Sequence, residues 1–111
     1  LRDFLENVFR GNNKSGVAHL FVRVVQHSDG RREESQEVFA GERAARIRAG
    51  EVRKAWLEED EEVELTGSIR SKKMVAAFDD RAESFTLTKI SDPLTVEMLW
   101  RMEKNKVSEN E

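Results

Sequence analysis

The sequence has no cysteine and no tyrosine, one proline, two histidines and only 7% aromatic residues. Without cysteine there is no disulfide framework, zinc–thiolate site, iron–sulfur cluster or thiol nucleophile. His19 and His27 stand in neither an H-x-x-x-H nor an H-E-x-x-H spacing, so no metal or other cofactor is expected. No apolar run approaches the ~18–20 residues of a membrane helix; Leu20-Phe21-Val22, for one, breaks at Arg23. An excess of positive charge is also missing. The 19 Lys+Arg face 22 Asp+Glu for a formal charge of −3, which excludes a generic basic polyanion binder and leaves room only for a local basic patch. No Ser-His-Asp order and no glycine-rich phosphate loop is visible, and Asp79-Asp80 are adjacent in a polar turn with nothing apolar to raise a carboxyl pKa. A non-enzymatic protein is the expectation.

What is present is enough apolar material for one core. Leu, Ile, Val and Phe number 28 of 111 residues, above the roughly 20% below which disorder is the default. A single domain over residues 1–111 is expected; a chain that opens on Leu1 rather than Met reads as a fragment or a processed product. Leu1, Phe4, Leu5, Val8 and Phe9 follow a helical stripe, with a first strand as the competing assignment, and residues 11–16 form a turn. Residues 17–25 read as a strand whose even positions, Ala18, Leu20, Val22 and Val24, make the buried face. Asp29-Gly30 then signals a hairpin to a second strand over 35–41. Val52, Ala55, Trp56 and Glu59 give a short helix over 51–58, followed by an acidic connector, 58–62. Residues 62–74 alternate as one strand with a bulge or bend at Gly67, and 84–90 form the last strand. Asp92-Pro93 fits an N-cap and first helical residue, opening a C-terminal helix and tail over 93–111 that frays from Lys104.

A strand hairpin, one short helix and further strands follow the order of an OB-fold, in which a helix plugs a five-stranded barrel between strands 3 and 4. The stretch from Ala18 to Ile90 resembles the single-stranded-DNA-binding-protein type of OB-fold. The matching pieces are the strand from Ala18, Val38-Phe39-Ala40-Gly41-Glu42, Val52-Arg53-Lys54-Ala55-Trp56-Leu57, and above all Val63-Glu64-Leu65-Thr66-Gly67-Ser68-Ile69-Arg70-Ser71-Lys72-Lys73-Met74. In length and style the chain is similar to the OB-fold interaction proteins of the trypanosomatid mitochondrial RNA-editing complex. That resemblance implies a mainly β barrel closed by the helix of Trp56, with a mitochondrial setting. It also implies a module that docks other OB-fold or complex subunits and weakly binds single-stranded RNA. An SSB-like DNA-binding protein and a pure protein scaffold are the alternatives in function; a pleckstrin-like small barrel, closed by the C-terminal helix, is the alternative in fold.

Two nucleic-acid candidates follow. His19, Phe21 and Arg23 share the odd face of the first strand, where a ring beside a cation and an imidazole could stack bases at roughly 1–3 kcal/mol each; packing of Phe21 under the N-terminal helix or against another subunit is the competing assignment. Arg70, Lys72 and Lys73 lie in a stretch with no acid between Glu64 and Asp79, suited to tracking phosphates or to discouraging strand pairing at an edge. For protein docking, Met98, Trp100 and Met102 of the C-terminal helix are the candidates, with homo- or hetero-oligomers as the outcome. Trp56 is expected in the core.

Overall fold

The computed structural model describes residues 16–110, with side chains described for 16–105; the expected helix or strand over 1–10 lies outside them. β1 (Ala18–His27) and β2 (Arg32–Phe39) form the expected hairpin. Its turn uses Gly30 at φ 96°, and Asp29 Oδ1 accepts the Arg31 N–H at 3.0 Å. That bond, with the Arg31 side chain behind it, holds the Asp29 carboxyl below its ordinary pKa.

α1 (Glu42–Glu59) starts nine residues earlier than the large apolar side chains suggest. Its buried stripe is Ala45, Ala49, Val52 and Trp56, so the first two contacts are alanines that let the helix lie close to the sheet. Gly50 sits inside the helix, a cost of about 1 kcal/mol that tertiary packing overrides.

The expected single strand over 62–74 is instead two strands, β3 (Glu64–Ser68) and β4 (Lys73–Ala77). Residues 69–72 turn the chain between them, with Lys72 at φ 69°, while Gly67 (φ 85°) lies inside β3 opposite Met74. A serine clasp secures the turn: Ser71 N–H donates to Ser68 Oγ at 2.9 Å, and Ser68 N–H to Ser71 Oγ at 3.1 Å. β5 (Arg81–Ile90) completes the meander. α2 (Pro93–Asn110) begins as expected, with Asp92 Oδ2 accepting the Thr95 hydroxyl at 2.6 Å and the Thr95 N–H at 2.9 Å; both hold Asp92 below its ordinary pKa. The helix extends to Asn110.

All strand pairs are antiparallel and the order is β2-β1-β5-β4-β3. The edges β2 and β3 do not pair, so the sheet is open. The architecture is α/β, with one helix between β2 and β3 and one at the C-terminus, and the expected barrel is not formed, with either helix as its closure. The reason lies in α1. Eighteen residues of helix span ~27 Å, while four strand spacings of ~4.8 Å come to about 19 Å. α1 therefore carries the chain across the face of the sheet from one edge to the other and keeps those edges apart.

Alternation sends odd and even positions of β1 to opposite faces. On one face Phe21 and Phe85 stack at 5.3 Å and Trp56 stacks on Phe85 at 5.5 Å, with Val52, Met74 and Ala76 around them. On the other, Val96, Leu99 and Trp100 of α2 pack on Ala18, Leu20, Val38 and Ile90. Both faces of β1 thus enter a core. The expectation that only its even face is buried fails because β1 is an interior strand with a helix on each side.

Candidate nucleic-acid interface

The proposed platform on β1 comes apart residue by residue. Phe21 is 0% exposed, so it has no face to offer a base. Arg23 donates from Nη2 to Glu83 Oε1 at 3.3 Å, and Glu83 is itself buried. The same carboxylate accepts Trp56 Nε1–H at 3.3 Å and Arg81 Nε–H at 2.8 Å. Arg81 also grips Glu59 at 2.6 Å and Asp80 at 2.9 Å and lies 4.1 Å over the Phe78 ring. Glu59 first, then Glu83 and Asp80, hold its guanidinium pKa above the ordinary value. Arg23 therefore joins a polar network under α1.

His19 alone of the three stays at a rim. It lies beside Lys89 in the β1–β5 ladder and lines a notch with Glu42 and Ala45 of α1, Lys72, Leu87 and Thr88. Burial, with Lys89 and Lys72 adding to it, lowers its pKa against the opposing pull of Glu42.

Arg70, Lys72 and Lys73 are all exposed on or beside the β3–β4 turn. The turn is tied to β5 by the Leu87 N–H, which donates to the Lys72 carbonyl at 2.9 Å. Lys73, opposite Thr86, stands on the α2 side of the sheet, because Met74 next to it points to α1. Arg53 of α1 joins this group across a shallow groove of about 350 Å³ floored by Gly67, Ser68 and Ile69.

The distribution of ion pairs separates these cations from the rest. Arg23, Arg46, Arg48, Lys54, Arg81 and Arg101 each have a carboxylate partner, as do Arg31 and Arg32 at the hairpin end. Among the described residues Arg53, Arg70, Lys72, Lys73 and Lys89 form no ion pair. Arg43 in α1 and Lys104 in α2 share that property. Lys89 escapes sequence reasoning because only strand register brings it to the turn; Arg53 reads in the sequence as one of a basic helix cluster, Arg43, Arg46, Arg48, Arg53 and Lys54, and the helix path sets it by the turn.

The docking trio divides as well. Trp100 is 7% exposed and packs on the sheet, whereas Met98 and Met102 are 62% and 44% exposed. Leu94, 75% exposed, extends them into an i, i+4, i+8 ladder on the outer side of α2. That spacing is readable in the sequence, and Leu94 belongs in the set. Among the described residues no helix is long and apolar enough to cross a membrane, and no group of three His, Asp or Glu is placed to hold a metal ion. No protein-family model, curated protein or solved structure matches the chain.

Proposed function

We propose that the chain is a non-catalytic interaction module that holds single-stranded RNA or DNA weakly by its phosphates and docks a protein subunit through α2. The observation that carries the nucleic-acid part is the gathering of unpaired cations, Arg53, Arg70, Lys72, Lys73 and Lys89, on and around one turn. Cations already neutralised by carboxylates gain little from a phosphate; these five gain fully. No large aromatic side chain is exposed among the described residues, so base stacking contributes nothing there and binding is electrostatic. The net charge of −3 keeps affinity low. The mitochondrial RNA-editing setting rested on the OB-fold resemblance, and the open sheet removes its structural ground.

A labelled oligonucleotide titrated by anisotropy at several salt concentrations tests the proposal. Engagement of four to five phosphates on a single strand gives a slope of log K against log salt of about −3. R70E/K72E is expected to abolish binding and K104E, on α2 away from the rim, to preserve it. No binding at low salt, or equal loss in K104E, defeats the nucleic-acid part.

The Leu94–Met98–Met102 ladder favours a second reading, protein docking alone. Three side chains are too few for a stable dimer, which buries ~800 Å² per partner, so the expected partner adds its own surface around them. That reading takes over if oligonucleotides fail to bind while M98E/M102E releases a co-purifying subunit.

A further inference from the structure

We propose that the notch between β1, β5 and the first turn of α1 is a phosphoryl seat, formed by His19, Lys72 and Lys89, within the rim described above. The inference rests on that nucleic-acid reading and adds a defined subsite to it. Three independent pieces of backbone bring the groups together. The β1–β5 register sets His19 beside Lys89. The Leu87 N–H bond to the Lys72 carbonyl brings the β3–β4 turn against β5 two residues before Lys89. The first turn of α1 closes the remaining side with Ala45 and Glu42.

The notch is partly open and its inner space is about 10 Å³, which is room for one water-sized atom. One phosphoryl oxygen fits, and the other oxygens remain outside near the lysines. The only acid in the notch, Glu42, is tied to Arg46 at 3.0 Å, which reduces its repulsion of an anion. A neutral pocket of this size would favour water; a pocket with two unpaired lysines and an imidazole favours an anionic oxygen.

Seating an anion there changes the protonation of His19. The charged groups facing it are Glu42 from α1, Lys72 from the turn and Lys89 from β5, while its β2 neighbour, Phe39, is apolar. In the free protein, burial and the two lysines disfavour the imidazolium. A bound phosphoryl oxygen reverses the local field, so binding takes up a proton. By linkage, affinity rises as pH falls through the His19 titration, by about tenfold if the bound-state midpoint lies one pH unit higher.

The test is imidazole NMR of the whole chain with inorganic phosphate as the probe, at ionic strength matched with chloride. His27, which bonds Glu33 Oε2 at 2.7 Å at the hairpin end, is the internal control. The expected result is a saturable shift of His19 alone and a higher His19 titration midpoint, both weakened severalfold in Lys89→Gln. Equal movement of the two histidines, or none, overturns the seat. A 5′-phosphorylated oligonucleotide that outcompetes its 5′-hydroxyl twin assigns the seat to a terminal phosphate; equal competition assigns it to the internal backbone. Phosphate that moves His19 while oligonucleotides do not bind defeats the rim and spares the seat. Oligonucleotides that bind in an R70E-sensitive way while phosphate leaves His19 unmoved do the reverse.

Discussion

Glu83 brings a carboxylate into a core otherwise built of rings and aliphatic chains. Desolvating it costs several kcal/mol, and the three donors from Arg23, Trp56 and Arg81 offset that cost. They arrive from β1, α1 and β5, so the carboxylate fixes how the helix seats on the sheet. Glu83→Ala leaves the Trp56 N–H buried without an acceptor, while Arg81 retains Glu59 and Asp80. A loss of about 2–3 kcal/mol is expected, against about 1 kcal/mol for Glu83→Gln, whose amide oxygen still accepts from Trp56. Urea midpoints at unchanged slope measure both, and a neutral Glu83→Ala would show that the network contributes nothing. The sequence offers no hint of this network, because Arg23 and Glu83 are sixty positions apart and meet only through the β1–β5 register. Phe21 misleads for a related reason: alternation tells that two faces differ, not that a helix covers each.

Elements with local chemistry were legible. Asp29-Gly30 makes its hairpin and Asp92-Pro93 starts its helix because each signal acts within a few residues. The β3–β4 turn was not legible. It is built from a serine clasp and a left-handed lysine, neither of which is a strong turn signal, and Gly67 fits both a bulge and a turn. The two positive-φ positions predict opposite outcomes. At Gly67 a Cβ would run into the Lys73 carbonyl oxygen, so Gly67→Ala is expected to lose about 2 kcal/mol or more. At Lys72 the backbone strain is relieved by glycine, so Lys72→Gly should be neutral or stabilising by up to ~1 kcal/mol. The same change removes a rim charge. Thermal melts paired with oligonucleotide titration are therefore expected to show a fully folded Lys72→Gly with weakened binding; a destabilised Lys72→Gly contradicts the strain assignment.

At the scale of the whole molecule, a strand list does not choose between a barrel and an open sheet. The choice depends on whether the edges meet, and the length and path of α1 decide that. The helix was legible only from its Val52–Trp56 end, so its reach was not. The open edges are guarded: β2 exposes Arg32, Glu33 and Glu34, and β3 is only five residues long. Because α1 and α2 cover opposite faces, the two apolar clusters are separable. A chain ended after Ser91 loses Trp100 and leaves Trp56 as its one tryptophan. It is expected to keep a blue-shifted, buried Trp56 emission while binding a hydrophobic dye at the bared Ala18, Leu20 and Val38. Red-shifted emission would mean that the α1 cluster depends on α2.

The central ladder, Ala18 against Ile90 through His27 against Arg81, also sets a timetable. A ribosome adding roughly 5–20 residues per second finishes β1 on the order of 3–15 s before β5 emerges to flank it. During that interval the nascent hairpin carries Leu20, Phe21, Val22 and Val24 without their final neighbours. The interior strand of the mature sheet is an edge strand at birth, with one whole ladder of backbone donors and acceptors open until its partner arrives.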